Sequence, residues 1–97
     1  MGNAVWNKAD LVDMVHTRSQ GLTKKEVKHV VDELLDTVME TVAEGDEVRF
    51  SGFGKFQAVR RAPRTGRNPV TGAPMPIPSS ISPKFLPGKR FKENLAD

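Results

Sequence analysis

Residues 62–82 constrain the fold more than any other part of this chain, because they hold five of its seven prolines and few side chains that could fill a core. In a β-strand, alternate residues direct their N–H groups to the same side, so Pro76 and Pro78 leave one edge without donors. Ile77 and Ser79, which lie between and after these prolines, keep their N–H donors on the opposite edge. Pairing this strand with residues 59–67 across a turn at residues 68–72 predicts a two-stranded hairpin arm, which takes no part in a core and is marginal alone.

Two helices are predicted ahead of the arm. Asn7 followed by Asp10 is typical of a helix N-cap, and the segment 19–21 ends this first helix. The pattern Thr-x-x-Glu at residues 23–26 is a capping box. Apolar residues then recur at three- and four-residue spacing until Gly45, which predicts a second helix of about five turns.

Short strands and a last helix are predicted after these helices. Glu47–Phe50 and Lys55–Arg61 alternate around a glycine-rich turn, as two antiparallel strands do. Lys89–Ala96 is typical of a short terminal helix, with Phe91 and Leu95 on its inner face. The whole pattern predicts an α+β fold with an N-terminal helical hairpin, a three-stranded antiparallel sheet with a long protruding β-ribbon arm, and a short C-terminal helix.

At this length we expect a single domain over residues 1–97. Its expected parts are an N-terminal extension at 1–6, a helical base at 7–45, sheet residues at 46–61 and 79–86, the arm at 62–78 and a C-terminal helix at 87–97. No apolar run approaches the roughly 18 residues that a membrane-spanning helix needs. Cysteines are absent, and the first residues lack a secretory pattern, so a soluble, cytoplasmic protein is expected.

Charge is distributed unevenly along the chain, although the net charge is only +3. Residues 1–47 carry five Lys or Arg against ten Asp or Glu, whereas residues 48–92 carry ten Lys or Arg and no carboxylate at all. A segment that cannot neutralise its own field is expected to bind a polyanion. Nucleic acid is the leading candidate, ahead of an acidic membrane surface or an acidic protein.

The segment Arg64–Gly72, with the sequence RTGRNPVTG, carries the clearest binding motif. Guanidinium groups suit phosphates and the acceptors of a minor groove, and Pro69 adds a rigid apolar ring that could enter between base pairs. The alternative is that Asn-Pro only begins a turn and the arginines keep a loop in solution. The predicted basic track along the arm comprises Lys55, Arg60, Arg61, Arg64 and Arg67, and a second cluster comprises Lys89, Arg90 and Lys92.

Catalysis and metal binding find no support in the sequence. His16 and His29 stand on separate predicted helices without a cysteine or a third histidine, so neither a metal site nor a cofactor is expected. No serine is accompanied by a readable base, and we expect no enzyme. Phe50, Phe53 and Phe56 could stack bases, as in binders of single strands, but packing in a core or dimer is favoured.

The combination of the Gly52-Phe-Gly54 turn, the Arg-Asn-Pro-x-Thr-Gly arm tip and Pro87-Gly-Lys89 resembles the bacterial HU and integration host factor family, over residues 7–95. The resemblance implies an intertwined dimer whose two β-arms embrace the minor groove of double-stranded DNA, with Pro69 intercalated at each tip. The expected DNA-binding residues are Lys55, Arg60, Arg61, Arg64, Thr65, Arg67, Asn68, Pro69, Thr71, Lys89 and Lys92.

Within this resemblance, two subtypes remain open. An HU-like homodimer would bend and compact DNA in the nucleoid with low sequence specificity and would favour bent, nicked or gapped forms. An integration host factor-like subunit would form a heterodimer with a paralogue and select deformable sequences. From another class, a basic interaction module could bind an acidic protein or a polysaccharide.

Overall fold

The computed structural model describes residues 2–96 of the chain. The elements in chain order are α1 (Lys8–Arg18), α2 (Lys24–Ala43), β1 (Val48–Phe50), β2 (Gly54–Arg61), β3 (Arg64–Arg67), β4 (Pro74–Ile77), β5 (Ser80–Pro87) and α3 (Lys89–Leu95). They divide into two compact units, the first ending at Thr37 and the second beginning at Val38. The elements confirm the predicted α+β fold class.

Both helix starts form as the sequence predicts. The Asn7 Oδ1 accepts a hydrogen bond from the Asp10 N–H at 3.1 Å, and the Asp10 carboxylate accepts one from the Asn7 N–H at 3.0 Å. At α2 the Glu26 N–H donates to Thr23 Oγ1 at 3.1 Å, and the Thr23 N–H donates to Glu26 Oε1 at 2.9 Å. Each pair satisfies two N–H groups that a helix start leaves without partners.

Three strands form one antiparallel sheet in the order β1-β2-β5. The turn between β1 and β2 closes with a hydrogen bond from the Phe53 N–H to the Phe50 oxygen at 3.0 Å. Gly54 follows with a φ of 152°, and a Cβ there would lie 2.6 Å from the Leu86 oxygen. Only glycine therefore allows β2 to begin this close to β5.

The five phenylalanines of the chain pack together in the second unit. The ring centroids of Phe53 and Phe91 are 5.4 Å apart, and those of Phe56 and Phe85 are 4.8 Å apart, while Phe50 meets both Phe53 and Phe56 edge to face. The rings of Phe50, Phe53 and Phe56 therefore pack with one another and with Phe85 and Phe91, as the favoured alternative expects.

Phe91 occupies the predicted inner face of α3, through its ring contacts with Phe53 and Phe85. Leu95 does not, because 74% of its surface is exposed in the single chain. The prediction for Leu95 was wrong for the isolated chain, in which this last residue of α3 stays mostly exposed.

Few apolar side chains are fully buried among the described residues. Val12, Val27 and Val42 are the buried ones. The helices instead leave a series of large apolar side chains 42–62% exposed, namely Leu11, Met14 and Val15 of α1 and Val30, Leu34, Leu35 and Met39 of α2. No helix within residues 2–96 is long and apolar enough to cross a membrane.

Candidate nucleic-acid interface

The arm is a two-stranded antiparallel ribbon of β3 and β4. The Asn68 N–H donates to the Ala73 oxygen at 2.9 Å, so Ala73 and every second residue after it direct their backbone groups toward β3. Pro74 and Pro76 therefore face the outer edge, where their missing N–H groups break no ladder bond. The hairpin that the proline spacing predicts is confirmed.

The pairing of the arm is shorter than the sequence predicts. Residues 59–61 were expected to pair with the proline-rich strand, but they pair with β5 in the three-stranded sheet, where Arg61 lies opposite Ser80. Strand pairing is interrupted where Pro63 and Pro78 face each other beyond the end of the β3–β4 ladder. Neither proline has an N–H group, and the regular pairing of both ladders stops beside them.

The tip of the arm is a turn held by its own polar side chains. The Asn68 Oδ1 accepts hydrogen bonds from the Val70 N–H at 2.8 Å and from the Thr71 N–H at 3.4 Å. The Ala73 N–H donates to Thr71 Oγ1 at 3.3 Å, and Gly72 adopts a φ of 73°. Asn68 and Thr71 thus fix the turn around Pro69, which is exposed.

The arginines of the predicted basic track are all exposed, but they lie on both faces of the strands. Because side chains alternate, Arg60 shares the sheet face of Phe56, whereas Arg61 lies on the opposite face. Arg64 and Arg67 likewise lie on opposite faces of β3. No carboxylate of the described residues forms an ion pair with any of these four guanidinium groups.

Arg67 differs from the other arm arginines in having a partner within the arm. Its Nη1 donates to the Gly72 oxygen at 3.2 Å, across the turn. The remaining donors of its guanidinium group are available to a ligand. Arg67 therefore combines a contact that holds the tip with the capacity to bind an anion.

Lys55 is only partly available for an anionic ligand. Its Nζ lies 3.5 Å from the Glu47 carboxylate, which also binds Arg49 at 2.6 Å. The hydrogen bond from Arg49, followed by the charges of Arg49 and Lys55, holds the pKa of Glu47 below its usual value despite desolvation. This ion pair was not foreseen from the sequence, because it forms across the β1–β2 turn.

Lys84 is a cation that the sequence reasoning missed. It lies opposite Gln57 in the β2–β5 register, on the sheet face that also carries Lys55 and Arg61, and it is exposed. The signal that could have found it is the antiparallel pairing of residues 54–61 with 80–87. Lys84 adds positive charge to this face.

The second basic cluster, which comprises Lys89, Arg90 and Lys92, lies on α3. This helix begins beside the glycine-rich turn between β1 and β2. The Gly88 N–H donates to the Phe53 oxygen at 2.8 Å and so ties the helix start to the sheet. Lys89 and Lys92 are exposed on this helix, with Lys89 Nζ 3.8 Å from the Glu93 carboxylate. At this distance and exposure the ion pair holds Lys89 only weakly.

Gly66 allows β3 and β4 to pack closely. A Cβ at this position would lie 2.5 Å from Ile77 Cδ1. The Ile77 side chain thus covers the backbone of β3 between Arg64 and Arg67. The Ile77 side chain therefore fills the middle of the arm, and β3 needs no bulky side chain at this position.

The family model for bacterial DNA-binding proteins matches residues 6–96. The chain is 44% identical to DNA-binding protein HU of Synechocystis, with 93% of this chain and 95% of that protein covered, and 39% identical to the integration host factor subunit beta of Shewanella putrefaciens, with 91% and 93% covered. Among solved structures, an Anabaena HU–DNA cocrystal structure matches with a TM-score of 0.84 and 42% identity over 94% of this chain and 98% of that one. HU from Thermotoga maritima matches with a TM-score of 0.65 and 33% identity over 94% of this chain and 100% of that one. With nearly its whole length matched, the chain belongs to the bacterial DNA-binding protein family that includes HU and the integration host factor subunits.

Proposed function

We propose that this protein is an architectural DNA-binding protein that binds double-stranded DNA with low sequence specificity and bends and compacts it. Its arms would follow the minor groove, and Pro69 would enter a base step at each tip. The observation that carries this proposal is the ribbon of exposed arginines, free of carboxylate partners, that ends in a rigid turn with an exposed proline. The relatives of the chain include HU proteins, and a cocrystal structure of Anabaena HU with DNA is among the matching structures.

Arg60, Arg61 and Arg64 would neutralise phosphates or fill the groove, because no carboxylate within residues 2–96 forms an ion pair with them. Placing arginines on both faces of a thin ribbon suits a groove, which surrounds its ligand on two sides. Thr65 and Arg67 would contact the backbone or base edges from the second face. Lys55, Lys84, Lys89 and Lys92 would bind the flanking phosphates, with Lys55 released from Glu47 as DNA approaches.

A homodimer is part of the proposal. The exposed apolar residues of α1 and α2 recur at helical spacing, and a single chain leaves them in water. Burying such surfaces against a second copy stabilises the dimer by about 25 cal/mol for each Å² of apolar area that is removed from water. The resulting dimer would carry two arms, so that two proline wedges act on one duplex.

The proposed place of action is the nucleoid in the cytoplasm, where double-stranded DNA is available, and the proposed role needs neither catalysis nor a cofactor. Within the family, HU-like behaviour is favoured over sequence-selective behaviour. The chain is 44% identical to several HU proteins against 39% for integration host factor subunits.

The salt dependence of binding tests this function. If the arms and flanks neutralise roughly 6 to 10 phosphates, log K should fall with log salt at a slope near −0.9 per phosphate, with similar affinity for unrelated intact duplexes of equal base composition. The pair Arg64→Ala and Arg67→Ala removes four guanidinium groups from the proposed dimer, so it should weaken binding to every duplex and flatten the slope by about four phosphates. The pair Arg18→Ala and Lys25→Ala, which removes equal charge from the helices, is the control. Affinity that does not change with salt, or no binding to DNA, would refute the proposal.

A further inference from the structure

The turn at the arm tip satisfies polar groups with its own atoms and leaves apolar ones free. The N–H of Val70 is bound by Asn68 Oδ1 at 2.8 Å, and Thr71 Oγ1 accepts from Ala73 at 3.3 Å. Pro69 has no N–H to offer. The two residues at the centre of the turn therefore present mainly hydrocarbon to a ligand.

The Val70 side chain has no packing role within the chain. It is 90% exposed, more than every other large apolar residue among the described residues except Val5 at 92%. Surface turns are usually filled by polar residues or glycine, because those residues favour the turn backbone and are well hydrated. A β-branched apolar side chain here costs hydration without adding to the core.

We propose that Val70 extends the Pro69 wedge and makes the arm discriminate against G·C pairs beside the base step that the wedge opens. This inference rests on the proposed function. In the minor groove, A·T pairs present only acceptors, whereas G·C pairs add the 2-amino group of guanine, which protrudes from the floor of the groove. A valine pressed against that group covers a donor that it cannot satisfy, and an unsatisfied buried donor weakens binding.

Inosine tests the 2-amino group, because an I·C pair lacks that group, and with it one Watson–Crick hydrogen bond, but keeps the major-groove edge of the G·C pair. The test uses labelled duplexes with one central nick, which fixes where the wedge acts, and with A·T, G·C or I·C pairs on both sides of the nick. The parent protein should bind the A·T and I·C duplexes about tenfold more tightly than the G·C duplex.

The variant Val70→Thr keeps the shape of the side chain and adds a hydroxyl that can accept from the 2-amino group. It should reduce the ratio of I·C to G·C affinity to about one, while its thermal unfolding midpoint stays that of the parent. Ile81→Thr, which also places a threonine hydroxyl at an exposed position, near the base of the arm, should keep the parent ratio.

The outcomes distinguish the inference from the proposed function. If the parent binds and bends the nicked duplexes but treats I·C and G·C alike, or if Val70→Thr keeps the parent ratio, the role of Val70 is wrong and the architectural function stands. If the parent neither binds nor bends any of these duplexes, the proposed function itself is refuted.

Discussion

At the scale of single residues, Pro69 and Asn68 have complementary parts in the arm tip. Asn68 accepts two backbone hydrogen bonds and so holds the turn, while Pro69 carries the exposed ring. Guanidinium groups attract any duplex over long range, whereas an apolar ring acts only where two base pairs separate. Binding and bending are therefore expected to depend on different residues.

Pro69→Ala tests this separation. The variant should keep its affinity for a straight duplex within about threefold of the parent and keep the salt slope, because the charges are unchanged. It should lose much of the induced bend and of the preference for nicked or gapped DNA, since unstacking a step costs on the order of a few kcal/mol that the ring helps to offset. Affinities and energy-transfer distances on the same duplexes measure both effects. A variant that bends DNA as strongly as the parent would make Pro69 a turn residue only.

At the scale of the elements, the sequence predicts what depends on local chemistry. The Asn7 and Thr23 caps and the donor-free edge of β4 follow from neighbouring residues, and all three form. The pairing of residues 59–61 could not be predicted, because it depends on which distant strand lies beside them. For the same reason Lys84 was missed.

The candidate site, too, could be predicted from the sequence only in part. Its arginines and its tip were identified from the motif, but the faces they occupy follow from strand alternation and register. The Glu47–Lys55 ion pair and the hydrogen bond from Arg67 to Gly72 are contacts across turns whose geometry the composition does not contain. Which residues touch DNA stays a prediction.

The ion pairs of Asp32, with Lys8 of α1 and with Lys28 of α2, give a pH-dependent prediction at this scale. Hydrogen bonds from Lys28 and Lys8, at 2.7 and 2.6 Å, lower the pKa of Asp32 from 3.8 to about 2. A lowered carboxyl pKa adds stability that is fully present above the unfolded value and is lost as the pH falls toward about 2.

Asp32→Asn should therefore lower the thermal midpoint by a few degrees at neutral pH, and the difference from the parent should shrink between about pH 4 and pH 2. Asp13→Asn breaks the pair with Lys24, in which both side chains are more than half exposed, and should have little effect. Circular dichroism melts across this pH range measure both variants. A difference for Asp32→Asn that persists unchanged at pH 2 would contradict the assignment.

At the scale of the whole molecule, the apolar surface of α1 and α2 predicts a dimer. Sedimentation at micromolar concentration should give twice the chain mass of 10.7 kDa. Leu34→Glu places a charge in that surface and should yield monomer or unfolded chain. The control is Val70→Glu, which also replaces an exposed apolar residue but lies far from the helices in the sequence, and this variant should remain dimeric. A stably folded monomer of the parent would exclude the two-armed assembly.

Bending of DNA is the activity proposed for the two arms, and the distance between the ends of a duplex reports it. A duplex of about 30 base pairs, shorter than the persistence length of DNA, stays nearly straight in solution. With dyes at its two ends, energy transfer should rise as the protein saturates it, because two arms with a proline wedge at each tip shorten the end-to-end distance. A saturated complex whose ends stay as far apart as in free DNA would contradict the account.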